Sequence, residues 1–437
     1  MFAPLAIRDF RRYYLGQTAS AFGDAMTPVA MAFAVLQLTG SAVDLGIVVL
    51  STRLPIIVLT LVGGAAGDLF SRRTVMILAD LARCCAHGAT AVLLLTGTAQ
   101  IWTLVVLQLV AGAGSAFFNP AATGLIQSLA GKRHLQEANS LISLSRSAAS
   151  IVALGAAGAL VALVGSGWAV LIDALTFLVS AACLRLLPRG VADERSRASG
   201  GLLASIGGGI AEVRRRSWLW VWIIQVALTN LIVISPILVL GPYVAERRLG
   251  GAPAWAAIGI AYAVGGLAGG LLGARWRPRR PMVAALLFFL LMAPLPALLA
   301  GPAALWLLVL AGAAAGMQLV VHNVLQTTVI QQHVPERFVA RVTSVMMLGS
   351  LVAAPLGMGL AGPVAAVFGP GPVLVGCAAF AVLSTLVTLL VPPVWRVRAP
   401  LDEHDASPAQ DDTTPPDPGS TSAALGESPR VSRPDHH

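Results

Sequence analysis

The stretch WTLVVLQLVAGAGSAFFNPAATGLIQ at residues 102–127 returns in altered form as WLLVLAGAAAGMQLVVHNVLQTTVIQ at residues 306–331. Composition alone can match alanines and leucines in such apolar segments, but it rarely matches Trp, Asn, Gln and Arg in one gapless register. The two halves of the chain are therefore predicted to be repeats of one structural unit. The identical residues related by this single shift include Trp102 and Trp306, Gly112 and Gly316, Asn119 and Asn323, Thr123 and Thr327, Gln127 and Gln331, Arg133 and Arg337, and Ser140 and Ser344.

The chain as a whole is also strongly apolar. Of its 437 residues, 57% are hydrophobic and only 11% are charged, whereas a soluble domain carries about 25% charged residues. Apolar runs of about 20 residues, the length of a membrane-spanning helix, recur along the sequence. This composition excludes a soluble protein and predicts an all-α membrane protein with twelve transmembrane helices. The predicted spans lie near residues 13–37, 45–68, 74–96, 101–123, 141–164, 168–187, 218–240, 255–274, 282–300, 304–326, 343–367 and 373–392.

Basic residues are distributed unevenly among the gaps between the predicted spans. The two ends of the helical region and the even-numbered gaps hold 22 of them, whereas the odd-numbered gaps hold only Arg247 and Arg248. Because cytoplasmic loops are enriched in Lys and Arg, this asymmetry predicts that both termini are cytoplasmic and that the chain lies in the cell's inner membrane. Short basic clusters between apolar runs do not make a nucleic-acid-binding surface, which excludes nucleic acid as a partner.

The repeat and the charge pattern divide the chain into four segments. Residues 1–187 and residues 218–395 are predicted to form two pseudo-symmetric six-helix bundles. Residues 188–217 are predicted to be a cytoplasmic linker with an amphipathic helix. Residues 396–437 are rich in Pro, Ser, Asp and Thr and are predicted to be a disordered cytoplasmic tail. Two parallel six-helix repeats with a site between them are the architecture of an alternating-access transporter.

The segment GAAGDLFSRR, residues 64–73, closes the second predicted span and enters the gap that follows. A glycine, an aspartate four residues later and then a basic pair resemble the loop signature of the major facilitator superfamily. The resemblance implies the fold of that family and a gating latch made by Gly64, Asp68, Arg72 and Arg73. An acid at the membrane edge can pair with either arginine or with the positive end of a facing helix. The alternative is that the basic pair only sets the topology.

The first half is similar to one branch of that superfamily, the siderophore and macrolide exporters that resemble the enterobactin exporter. This resemblance implies proton-coupled efflux by antiport. Two departures from these exporters bear on the direction of transport. Gln108 stands where many of them have an arginine, and Ala153 and Leu154 stand where they have a Gly-Pro pair. The segments that carry the resemblance are DFRRYYLGQTASAFGD (9–24), ILADLAR (77–83), FFNPA (117–121), EANSLISLSR (137–146) and IDALTFLVSA (172–181).

Ionisable residues inside a span are candidates for function, because hydrocarbon makes an idle charge costly. Asp24 lies in the middle of the first span, two helical turns after Gln17. Both residues belong to a polar stripe, which is predicted to face a wet cavity or another helix. Arg146 in the fifth span is predicted to be either the partner of Asp24 or an anion-binding group. Together with Asn119 in the fourth span, these residues form the predicted proton and substrate site of the first half.

The repeated span in the second half adds Asn323, His322 and Gln318 to the candidates. Asn119 and Asn323 are equivalent in the repeat and are predicted to face each other across the pseudo-twofold axis. For His322 two interpretations remain open, a neutral histidine hydrogen-bonded between helices or a residue that lines the cavity.

Four further charged residues inside spans have other interpretations. Asp80 and Arg83 share one helix face at a spacing of three residues and are predicted to be a self-satisfied ion pair. Asp173 is predicted to have a structural role near the outer end of the sixth span. Arg53 in the second span matches no motif, and the sequence assigns it no role.

The sequence as a whole predicts a secondary transporter that exports an amphipathic small molecule, such as a drug, a macrolide or a siderophore, in exchange for protons. It is predicted to act as a monomer in the lipid bilayer without a metal or other cofactor, since no nucleotide-binding motif, metal cluster or nucleophile triad is recognisable. An importer or uniporter with the same fold is a second possibility. A membrane-embedded sensor or enzyme is a third, and it would need a catalytic cluster or a folded cytoplasmic domain.

Overall fold

The computed structural model describes residues 3–69, 71–188 and 216–397. Most of the predicted linker 188–217 and nearly all of the predicted tail 396–437 lie outside these residues. Within them there are twelve long helices and no strand, and eleven of the helices are long and apolar enough to cross a membrane. The twelfth, α11, contains a shorter apolar stretch, Val352–Phe368. The predicted all-α fold with twelve spans is therefore confirmed.

The helices follow the predicted spans closely, although several extend beyond them by one to three turns. Their bounds are α1 Arg8–Thr39, α2 Ala42–Leu69, α3 Arg72–Leu95, α4 Ile101–Gly131, α5 His134–Leu163, α6 Ser166–Arg185, α7 Trp218–Leu249, α8 Ala252–Arg275, α9 Pro281–Ala300, α10 Leu305–His333, α11 Glu336–Phe368 and α12 Pro370–Leu389. The bend between α4 and α5 lies at Gly131, whose φ of 64° is a left-handed conformation that glycine adopts without a steric penalty.

The same close packing occurs in both halves, which supports the internal repeat. In the first half α2 packs against α4, and in the second half α8 packs against α10. Gly112 on α4 lies directly against the backbone carbonyl of Thr52, and its repeat equivalent Gly316 on α10 lies directly against that of Tyr262. Small residues allow this approach, which in a membrane is a main source of helix association.

The two halves join through two pairs of helices that the repeat relates to each other. Helix α2 packs against α11, and α5 packs against α8. The contacts lie at the ends of these helices remote from the chain termini, where Gly46 approaches the Met358 carbonyl and Gly158 approaches Ala256. One hydrophobic cluster crosses the halves at this end and includes Phe33.

The opposite end of the molecule, where α1 begins and α12 ends, is built differently. Its hydrophobic clusters are each drawn from one half: one surrounds Tyr13 and Leu125, and two others surround Trp222 and Ile330. Among the described residues, the halves are thus sealed together at one end, whereas the hydrophobic clusters at the end where α1 begins and α12 ends do not cross between the halves.

Arg247 forms a hydrogen bond between the halves at the sealed end. Its Nη2 donates to the carbonyl of Gly40 over 3.2 Å, and its guanidinium lies 4.8 Å from the ring centroid of Tyr243. Gly40 caps the C-terminus of α1, where the helix dipole is negative and attracts a cation. Arg248 instead donates to the carbonyl of Ala300 within its own half. These contacts give a role to the two arginines that the charge pattern left on the outer side.

Arg247→Ala is expected to loosen the sealed end, whereas Arg248→Ala serves as the matched control. Because the Arg247 contact is exposed, we expect an effect of about 0.5–1 kcal/mol, which corresponds to a change of roughly two- to fivefold in the population of the sealed state. Spin labels at Leu163→Cys and Phe368→Cys, both highly exposed near the sealed end, report the separation of the halves. Identical distance distributions in Arg247→Ala and Arg248→Ala would show that Arg247 does not stabilise the sealed end.

Candidate functional site

Most of the candidate residues border one of two cavities that the described residues of the helical bundle enclose. The smaller, of about 330 Å³, is lined by residues of the first half alone. The larger, of about 980 Å³, is lined mainly by α7, α10 and α11 of the second half, with α2 of the first half closing one side. Its lining extends to Ile330 and Val339, near the end where α1 begins and α12 ends.

The smaller cavity brings together the candidates of the first half. Asp24, Gln17, Asn119 and Arg146 all line it, although they come from three different helices, α1, α4 and α5. Gln17 is buried and donates a hydrogen bond to Ser180 on α6 over 3.1 Å. The structure therefore groups these polar side chains around one space, as the stripe on the first span indicated.

The ion pair of Asp24 is with Arg83, not with Arg146. Nη1 of Arg83 lies 3.7 Å from Oδ1 of Asp24, whose side chain is 51% exposed within the cavity. Arg83 also forms the expected ion pair with Asp80, one turn away on α3. A guanidinium has five N–H donors, so the local pair with Asp80 leaves donors for a second acid. Of the two predicted roles of Arg146, that of partner to Asp24 is thus corrected. The role of anion-binding group stays a prediction, and Arg146 borders the same cavity.

Two aromatic rings hold Arg83 in this shared position. Its guanidinium carbon lies 4.3 Å from the ring centroid of Phe118 on α4 and 4.2 Å from that of Phe177 on α6. The faces of aromatic rings attract cations and replace part of the hydration that a buried guanidinium loses. One fixed cation is therefore placed between the fully buried Asp80 and the half-exposed Asp24.

Sequence reasoning missed a buried pair formed by His87 and Asp173. Nδ1 of His87 on α3 lies 2.5 Å from Oδ2 of Asp173 on α6, and the Thr27 hydroxyl on α1 donates to the same oxygen over 2.6 Å. Both side chains are buried. The pair ties three helices together, which agrees with the structural role predicted for Asp173. The sequence signal for His87 was its position inside an apolar span, where an ionisable side chain needs a partner.

The larger cavity contains the candidates of the second half, Gln318, His322 and Asn323. His322 is buried and accepts a hydrogen bond of 3.1 Å at Nε2 from the indole N–H of Trp222 on α7. Since an indole nitrogen only donates, this ring nitrogen carries no proton. The structure thus combines the two interpretations of His322, an uncharged link between helices that also borders the cavity.

The two repeat-equivalent asparagines border different cavities. Asn119 lines the smaller cavity of the first half and Asn323 lines the larger cavity. The prediction that they face each other across the axis between the halves therefore needs correction. Each helix is held in this orientation because its glycine face is packed against α2 or α8.

The basic pair of the predicted latch contacts backbone carbonyls of its own half. Arg72 donates to the carbonyl of Gly124 over 3.0 Å, and Arg73 donates to those of Leu184 and Arg185 at the C-terminus of α6 over 2.8 and 2.7 Å. The side chain of Asp68 and the surroundings of Gly64 lie outside the described part of the structure, so the latch stays a prediction.

Two further positions gain a location from the structure. Gln108, which replaces the arginine of many exporters, is buried and accepts a hydrogen bond of 3.0 Å from Thr52; it links α4 to α2. Arg53, to which the sequence assigned no role, lies one residue beyond Thr52 on α2 and lines the larger cavity with an exposed side chain.

The profile described as Major Facilitator Superfamily matches residues 13–358 and also residues 254–425. The multidrug efflux pump Tap of Mycolicibacterium fortuitum is 32% identical over 372 residues, which cover 80% of this chain and 87% of that protein. Macrolide efflux protein A of Streptococcus pyogenes is 23% identical over 357 residues, which cover 80% and 87%.

Solved structures agree in fold. The nucleoside transporter NupG superposes with a TM-score of 0.71 at 12% identity, over 87% of this chain and 98% of that one. A bacterial homologue of the iron transporter ferroportin, in the inward-facing state, superposes with a TM-score of 0.68 at 18% identity, over 88% and 99%. At these identities the likeness concerns the arrangement of the helices alone.

Proposed function

The chain belongs to the major facilitator superfamily, and on that premise we propose that it exports amphipathic small molecules in exchange for protons. It is a multi-pass membrane transporter and not an enzyme. Export is favoured because relatives that share most of its length are named efflux proteins. We propose further that it acts as a monomer in the inner membrane, with both termini in the cytoplasm.

The observation that carries proton coupling is the position of Asp24. Its carboxylate borders a cavity, with 51% of the side chain exposed, and it shares the Arg83 guanidinium with Asp80. When Asp24 binds a proton, Arg83 is left with one acid, and the neutral pair with Asp80 is complete. When Asp24 releases the proton, two acids again compete for one cation. Protonation therefore changes the net charge of a site between α1 and α3.

Alternating access is supported by the way in which the halves join. The pairs α2–α11 and α5–α8 seal one end, and the clusters at the other end each belong to one half. A rocking motion can break the first set of contacts and form a second set without unfolding either bundle.

Ala153 is buried where α5 meets α8, and its neighbour Leu154 approaches Gly259 of α8. The two residues that replace the Gly-Pro pair of related exporters therefore lie at this junction between the halves.

The test is uphill transport by the purified protein in proteoliposomes. A panel of anionic, neutral and cationic amphipathic dyes is supplied on the side of the termini, with an imposed pH gradient. We expect at least one dye to accumulate on the opposite side above its starting concentration, and we expect nigericin to abolish this accumulation by collapsing the gradient. If every dye only equilibrates, with or without the gradient, the protein is a passive carrier.

A further inference from the structure

We propose that the larger cavity selects amphipathic molecules that carry an anionic group, and that Arg53 is the residue that makes this selection. The proposal deepens the proposed function and rests on it, because it assigns a substrate class to a transport cavity. It also gives a role to a charged residue in a span that no sequence motif explained.

The position of Arg53 is the first support. It lies on α2, near the junction with α11, and its exposed side chain borders a space otherwise walled mainly by the second half. Among the described residues that line this cavity there is no Asp or Glu, and none of the described residues forms an ion pair or hydrogen bond with Arg53. An unpaired charge within a membrane protein is costly, and a substrate anion would complete the pair.

Unpaired polar atoms in the cavity wall are the second and independent support. The hydroxyl of Thr229, Oε1 of Gln318 and Nε2 of Gln326 are buried without a hydrogen-bond partner in the described structure, and all three residues line the cavity. A buried polar atom left without a partner destabilises the protein. A ligand that hydrogen-bonds to these atoms offsets that cost, which indicates that this wall is built for binding.

The backbone of α7 presents part of this wall through an irregular turn. Residues Asn230–Ile234 form a π-helical turn immediately before Ser235 and Pro236. Proline cannot donate a backbone hydrogen bond and crowds the preceding turn of a helix. The wider turn accommodates it and aligns Thr229 and Asn230 with the cavity. Such π-turns inside helices occur frequently at functional sites.

The remaining walls suit the apolar part of such a molecule. Ile57, Leu238, Phe289, Met292 and Met346 contribute large apolar side chains. A volume of about 980 Å³ lies at the upper end of the range for sites that hold drug-sized ligands, roughly 300–1,000 Å³. Because His322 is held uncharged by Trp222, Arg53 is the one charged group among the described lining residues. Its field attracts an anion and repels a cation.

The experiment compares two dyes that share a xanthene ring system and differ in charge, anionic 5-carboxyfluorescein and cationic rhodamine 123. Binding to the purified full-length protein in detergent is measured by fluorescence polarisation, without any ion gradient. The wild-type protein is expected to bind carboxyfluorescein at least about tenfold more tightly than rhodamine 123. The cationic dye cannot form the charge-assisted hydrogen bond that the anionic dye forms with Arg53. Arg53→Gln should remove this preference, Arg53→Lys should retain most of it, and Arg248→Gln, whose arginine contacts Ala300, should leave it unchanged.

The results separate this proposal from the proposed function. If wild-type protein binds both dyes equally, or binds neither, the anionic substrate class is wrong. If Arg53→Gln keeps the preference and melts at the wild-type temperature, Arg53 is not the selecting residue. Neither result tests proton coupling, because proton coupling is measured as uphill transport. Conversely, if the protein prefers the anionic dye through Arg53 but transports no dye uphill, the selection by Arg53 stands and the proton-driven export is wrong.

Discussion

Asp24→Asn is expected to abolish the proton-driven accumulation of substrate and to leave the downhill movement of a neutral substrate nearly intact. Asparagine keeps the shape of the side chain but cannot exchange a proton near neutral pH. The cavity around residue 24 should therefore stay open to substrate, and the variant should behave as a carrier that only equilibrates concentrations.

The reason for choosing this acid is its access to the cavity. Asp80 and Asp173 are fully buried, and each has a basic partner: Arg83 for Asp80 and His87 for Asp173. Asp24 is half exposed, and Ser20 and Arg83 contact it at 3.4 and 3.7 Å. A proton carrier must meet water in each conformation, and among these three acids only Asp24 borders the described cavity.

The measurement is transport in proteoliposomes with and without an imposed pH gradient. Asp44→Asn is the control, because Asp44 lies in the first turn of α2 near the sealed end and borders neither cavity. We expect Asp44→Asn to accumulate substrate as the wild type does, Asp24→Glu to keep part of the accumulation, and Asp24→Asn to fall to the level seen without a gradient. Accumulation by Asp24→Asn equal to the wild type would exclude Asp24 as the proton carrier and favour a passive uniporter.

Gly316→Val is expected to destabilise the folded protein strongly, and Gly112→Val should have the same effect in the other half. A Cβ atom at either position would overlap a backbone carbonyl oxygen of the facing helix, that of Tyr262 or that of Thr52. A flexible side chain could rotate away, but a carbonyl moves only with its helix. Overpacking of a core usually destabilises a protein by about 1–3 kcal/mol, and a backbone obstacle is expected to reach the upper part of that range.

The helices that would have to move are those that join the halves. Since α2 also packs against α11 and α8 against α5, a shift to admit valine would disturb the sealed end as well. The measurement is the yield of monodisperse protein in detergent and its melting temperature. Gly376→Val on α12 is the matched control, because a Cβ there meets nothing within 4 Å. A wild-type melting temperature for Gly316→Val would show that α8 and α10 are less tightly packed than in this structure.

The sequence predicted features that depend on local pattern. The twelve spans follow from the length of the apolar runs, and the repeat of residues 102–127 at 306–331 anticipated that Gly112 and Gly316 make equivalent contacts. The ion pair between Asp80 and Arg83 was also predictable, because residues three apart on a helix are neighbours whatever surrounds them.

The composition of the two cavities depended on the tertiary structure. Asp24 pairs with a residue on α3 and not with the arginine on α5, and His87 meets Asp173 across 86 positions of sequence. Arg53 could be assigned a role only once α2 was placed against the wall formed by α7, α10 and α11. Hydrophobic periodicity determines that a helix forms and which side is polar. It does not determine which polar faces of different helices meet. Those contacts depend on the rotation and spacing of helices that are far apart in the chain, and packing between small residues sets this rotation and spacing.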